Sequence, residues 1–195
     1  MSGIFIIFTK HIKIMKHIKL FEQFVNEAKI DLVKYVKDAS KKIFARGGNG
    51  QNVLDYTLEL AQYIESTKKE GDDDWYGPMS TGLFQNLVNS MGLDDIEHNN
   101  TSGIKSKKKP EIWRGPSDIT AEVESSIKRV KANGGNSDAW AKPAFELAGH
   151  LESYAMGAIK GSPMEDGFYT NGTLSAFLRL VAEMGTESIQ HAKSK

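Results

Sequence analysis

Cysteine is absent from the 195 residues of this chain, which excludes disulfide frameworks, thiolate metal sites and cysteine nucleophiles and fits a cytoplasmic life. Net charge is absent as well: 25 basic residues balance 25 acidic ones, so no global field draws the chain to nucleic acid or to an anionic membrane. Long apolar runs are missing. The run Ile4, Phe5, Ile6, Ile7 and Phe8 falls far short of the roughly 20 residues that cross a bilayer. Lys10 and Lys13 follow that run instead of preceding it, the wrong order for a secretory signal.

Catalytic signatures are missing too. His11, His17, His98, His150 and His191 lack the paired spacing that would set two metal ligands on one helix face. Asp72, Asp73 and Asp74 are adjacent and point in different directions, so they read as a solvated acidic turn and not as a calcium loop. No GxxxxGK or GxGxxG sequence is present to cradle phosphate, and no Ser-His-Asp spacing stands out. Glu122 and Glu124 follow Arg114 as in ADP-ribosyltransferases, but they lie inside a helical pattern without the strands that such a site needs. No catalytic residue, cofactor or metal is expected.

What is present is helical periodicity, with no strict alternation of the kind a sheet requires. It predicts an all-α, single-domain bundle of about five to seven helices with a flexible central loop. The first helix is expected from about Lys16 to Phe44, stopping at Gly47 and Gly48. The second begins near Asn52, with Asn52 capping, Asp55 at the capping-box position, and Leu54, Leu58, Ala61 and Ile64 or Glu65 inward. The third follows Ser80 or Thr81, turns Leu83, Phe84, Leu87, Val88 and Met91 inward, and is closed by Gly92. Residues 94–117 are polar and charged and read as a mobile loop dividing the chain into two helical halves.

Beyond that loop, a fourth helix is expected from Ser117 or Asp118, carrying Ile119, Val123, Ile127 and Val130 and ending at Gly134 and Gly135. A fifth runs from around Ser137 to Ile159, with Pro143 at a kink or a fresh first turn. Small residues such as Ala144 and Ala148 let a neighbouring helix approach it closely. A sixth spans Thr173 to Met184, with a short tail after it.

The segment 15–29, MKHIKLFEQFVNEAK, is amphipathic and basic. Ile18, Phe21, Val25 and Ala28 share one stripe, which Leu32, Tyr35 and Ala39 continue, while Lys16, Lys19, Glu22 and Asn26 fall largely off it. A methionine heads the segment, Lys16 follows, Phe21 and Phe24 occupy the apolar face, and Val25-Asn26-Glu27 precedes Ala28 as an apolar-x-Glu sequence. In these elements it resembles the N-terminal capsid-targeting peptide of internal head proteins from T-even-like tailed bacteriophages. The resemblance implies that the peptide binds phage scaffold or core proteins during prohead assembly. It also implies that a prohead protease removes the peptide between Glu27 and Ala28. Leu20-Phe21-Glu22 fits the same cleavage pattern earlier in the chain.

The organisation expected is thus an upstream extension over residues 1–14, with Met15 as the natural start, a targeting-like helix over 15–27, and a helical domain over 28–195 with its mobile loop near 94–117. Lys105, Lys107, Lys108 and Lys109, with Trp113 and Arg114 behind them, form the one basic and aromatic cluster. Lysines neutralise phosphates and Trp stacks on a base, so weak nucleic-acid contact is one reading; a solvated loop flanked by Glu111 and Asp118 is the other. The reading as a whole is a phage virion-associated internal head protein, made in the host cytoplasm and retained in the virion head, with no membrane partner. The alternative is a non-virion phage accessory or regulatory protein that binds a protein partner or nucleic acid through its helical domain.

Overall fold

The computed structural model describes residues 30–67, 76–101, 118–159 and 169–195. Over these it contains six helices and no strand: α1 Leu32–Ala45, α2 Gln51–Ser66, α3 Pro78–Thr101, α4 Ile119–Ala132, α5 Asp138–Ile159 and α6 Asn171–Lys193. The expected all-α bundle is therefore what these residues form. The chain divides between Ile30 and Asp31, and all six helices belong to the unit Asp31–Lys195.

Local chemistry sets the helix ends. Ile30 and Asp31 are not helical. Asp31 is extended, and its carboxylate accepts a hydrogen bond from the Lys34 N–H at 2.9 Å, satisfying one of the free amides of a helix start. The stripe that the sequence carries through residue 30 is thus broken: α1 begins at Leu32, not at Lys16, and its buried face is Leu32, Val36, Ser40 and Ile43. Tyr35 and Ala39, expected on that face, are half-buried beside it. Asp118 caps α4 in the same way, accepting from the Ala121 N–H at 2.7 Å.

Both short helices also end alike. Gly47 (φ 87°) and Gly134 (φ 82°) are left-handed, a conformation that only glycine adopts at little cost. The next amide, on Gly48 or Gly135, donates back to the carbonyl of Ile43 or Val130 at 2.9 and 2.8 Å, the bond of a Schellman ending.

Further expectations change. Asn52 does not cap α2: the helix starts one residue earlier, after Gly50, where no side chain caps it. The Asn49 Oδ1 accepts from the Gln51 N–H at 3.2 Å. The face turned inward is Val53, Thr57, Leu60, Ala61 and Ile64, without Leu54 or Leu58. Gly92 does not end α3, and residues 94–101, expected in the mobile loop, continue that helix to Thr101. A Cβ at Gly92 would lie 2.9 Å from Ile43 Cδ1, so the glycine admits α1 against α3 and is a crossing point, not a stop. Residues expected in a short tail, after Met184, likewise continue α6 to Lys193.

The packing repeats. α1 packs on α2 and α3, and α4 packs on α5 and α6, while α2 meets α5 and α3 meets α6. The halves α1–α3 and α4–α6 are therefore the same three-helix unit used twice. The sequences agree at the packing positions: Phe84, Leu87, Val88, Met91, Gly92 and Ile96 of α3 recur as Phe177, Leu180, Val181, Met184, Gly185 and Ile189 of α6. In the middle helices, ELAQYIES of α2 recurs as ELAGHLES of α5. Phe84, Leu87, Met91, Phe177, Leu180, Met184 and Trp140 are completely buried, and they form the centre of the core.

Candidate functional site

The cross-contacts between the halves are reciprocal, as in a two-fold interface. From α3, Asp94 Oδ2 accepts from the Thr170 N–H at 3.0 Å, from Thr170 Oγ1 at 3.2 Å and from Thr173 Oγ1 at 2.6 Å, all at the start of α6. From α6, Glu187 Oε1 accepts from the Gly77 N–H at 3.1 Å, at the start of α3. Within each half a second carboxylate holds the first helix: Glu65 of α2 accepts from the Leu32 N–H, and Glu152 of α5 accepts from Thr120 N–H at 3.2 Å and Thr120 Oγ1 at 2.8 Å. An anionic group at a helix N-terminus is favoured by the free amides and the dipole there. These carboxylates, Asp94 buried and the three glutamates half-buried, are thus occupied in joining helices.

Burial moves several titrations. It pushes Glu187 above the usual carboxylate range, with Gly77 acting against the shift and Glu183 adding to it. Asp95 is raised by burial as well, although the Asn49 N–H donates to its Oδ2 and His98 stands near it. His150, enclosed by the rings of Tyr56, Tyr154 and Tyr169 at 5.7, 5.0 and 6.0 Å, is lowered by burial. Its ring Nε2 lies 3.4 Å from Tyr169 Oη. The same corner in the first half holds Tyr63 against Tyr76, rings 5.9 Å apart and hydroxyls 3.4 Å apart. This repetition makes His150 a member of a packing corner.

Among the described residues a concavity lies between α1 and α3. It encloses about 410 Å³, has Ile43, Val88, Gly92, Leu93 and Ile96 among its lining, and is bordered by Tyr35, Asp38, Lys42 and Arg46. Its counterpart between α4 and α6 encloses about 270 Å³, and every residue that lines it, Val130, Val181, Gly185 and Ile189 among them, is the counterpart of a residue lining the first groove. A glycine lines each groove where the helices approach closely, since a Cβ at Gly92 or Gly185 would lie 2.9 or 3.0 Å from Ile43 or Val130.

The walls differ. In the α4–α6 groove Arg129 donates to Glu122 Oε1 at 3.1 Å and to Ser126 Oγ at 2.8 Å. Tyr35 stands where Glu122 stands in the other half, and its Oη donates across the α1–α3 groove to Asn89 Oδ1 at 2.7 Å. Lys42, the counterpart of Arg129, has no ion pair among the described residues, and neither has Arg46. Asp38 is engaged with Lys41 at 3.4 Å. Leu93 is 55% exposed at the groove, where the second half has Thr186.

The residues singled out from the sequence as targeting and cleavage elements, Met15, Lys16, Phe21, Phe24, Val25, Glu27 and Ala28, lie outside the described residues. So do Lys105, Lys107, Lys108, Lys109, Trp113 and Arg114, and the acidic triplet Asp72 to Asp74. Among the described residues no group of three or more potential metal-ligating side chains occurs, and no helix is long and apolar enough to cross a membrane. The α1–α3 groove was not anticipated. Its signal in the sequence was Gly92 read as a helix end, together with the recurrence of Met-Gly at 91–92 and 184–185. No family model, curated protein or solved structure matches the chain.

Proposed function

We propose that this protein is an internal component of a phage head, directed to the prohead by residues 15–27 and cut between Glu27 and Ala28. Its partners during assembly are then phage scaffold or core proteins and the prohead protease. The observation that carries the reading is the resemblance of the segment headed by Met15. Two features of the fold support its removal: the chain divides between Ile30 and Asp31, and α1 starts with its own cap at Asp31. A protein starting at Ala28 retains Asp31 and all six helices, so its melting temperature should match that of the full chain.

The decisive measurement is the N-terminus of the protein in purified virions. Ala28 is expected there. Absence from the particle, or presence with residues 15–27 intact, overturns the proposal. A second reading, a non-virion accessory protein that binds a protein partner through its helical domain, is favoured by one feature, the open groove between α1 and α3.

A further inference from the structure

The two grooves occupy equivalent places in equivalent halves, so each is a control for the other. Packing explains their common floor, because Gly92 with Ile43 and Gly185 with Val130 are close helix crossings. It does not explain why one rim is neutralised and the other left charged. In α4 each of the cations Lys128, Arg129 and Lys131 has a carboxylate, from Glu124, Glu122 and Asp138 at 3.7, 3.1 and 2.7 Å. In α1 the cations are Lys34, Lys37, Lys41 and Lys42, with Arg46 at the helix end, and only Lys41 is paired within the described residues.

We infer that the α1–α3 groove is a docking site for an acidic, amphipathic protein segment, with an apolar side chain on Leu93 and Ile96 and carboxylates on Lys42 and Arg46. Charge complementarity selects the sign of the partner, since Asp38 is the only carboxylate in the groove lining and is shared with Lys41. The apolar floor selects its class. Nucleic acid needs cations and a stacking platform, whereas this floor is aliphatic and its one aromatic ring, Tyr35, is held at its hydroxyl by Asn89. A segment with alternate apolar and acidic faces meets both demands in the manner of a helix laid in a groove. The inference does not rest on proteolytic processing, because every residue it uses lies after Asp31.

The test is a nuclear magnetic resonance titration of the isotope-labelled full chain with a short synthetic peptide that presents leucines on one face and glutamates on the other. Shifts are expected at Lys42, Asn89 and Leu93 and not at Arg129 or Thr186. Lys42→Glu with Arg46→Glu should weaken binding about tenfold or more. Leu93→Thr, which installs the residue of the other half at an exposed site, should weaken it while leaving the melting temperature unchanged. Equal shifts in both grooves, no shifts at all, or equal binding of a peptide with lysine in place of glutamate would each overturn the inference. So would an oligothymidylate that perturbs the same residues more strongly. Loss of a concentration-dependent dimer in the Lys42 and Arg46 variant would show that a second copy fills the groove, and would overturn it too.

Discussion

The two halves of this molecule agree inside and disagree outside. Their caps, glycine endings, crossing glycines and buried Phe, Leu, Val and Met residues coincide, while α1 is a basic helix with largely unpaired cations among the described residues and α4 is a nearly neutral one laced by ion pairs. Interior positions are held by geometry. A methylene gained or lost in a close-packed core is felt throughout it, and the reciprocal contacts of α3 with α6 make each half the partner of the other. Exposed positions carry no such constraint, because surface ion pairs contribute little to stability. Divergence there can serve contact with something else.

The sharpest way to test the equivalence is in the core. Phe84→Ala and Phe177→Ala should each cost about 3–5 kcal/mol, and equal losses in urea denaturation would confirm that the halves carry the fold together. A marked inequality would mean that one half folds as the scaffold of the other. The carboxylate links come next and are expected to break the symmetry. Asp94→Ala removes three hydrogen bonds at the start of α6, for a loss of about 2 kcal/mol, whereas Glu187→Ala removes the bond to Gly77 for about 1 kcal/mol. The glycine endings should again match: Gly47→Ala and Gly134→Ala force an L side chain into left-handed backbone and should each cost about 1 kcal/mol in thermal melts.

His150 and Tyr63 separate the halves by pH. Burial holds His150 below its ordinary value of 6.5, so the unfolded chain binds its proton more readily than the folded one. The stability associated with neutral His150 is therefore present above pH 6.5 and is lost as pH falls from there toward the folded value. His150→Tyr, which copies the other half, should remove that loss between melts at neutral pH and at pH below 6.5. The smallest effect belongs to the surface: Glu122→Ala should change stability by less than about 1 kcal/mol. It frees Arg129, and if charge alone governs the grooves the acidic peptide should then begin to shift residues between α4 and α6.

Much of this was readable from residues. Asp118 and the glycine pairs at 47–48 and 134–135 marked helix ends through chemistry that acts within a few residues. The repeat was equally legible, since FxxLVxxMGxxxIxH runs through both α3 and α6. It was obscured because Gly92 and the polar residues after it were read as the end of α3, which cut that pattern in the first half. Asp31 was hidden by the opposite error: the apolar stripe runs past it, and periodicity counts side chains without registering that a carboxylate has turned back onto the Lys34 amide.

The sequence by itself determined the helical class, most of the inward faces and the places where helices end on glycine. Those follow from the period of apolar residues and from backbone conformations that individual residues permit. Only the tertiary structure decided that Gly92 and Gly185 are crossings, that Asp94 and Glu187 tie opposite halves together, and that Lys42 and Arg46 border their groove without an ion pair among the described residues while Arg129 borders the other groove paired with Glu122. These are relations between residues distant in the chain, and no local pattern encodes which partner a side chain will meet.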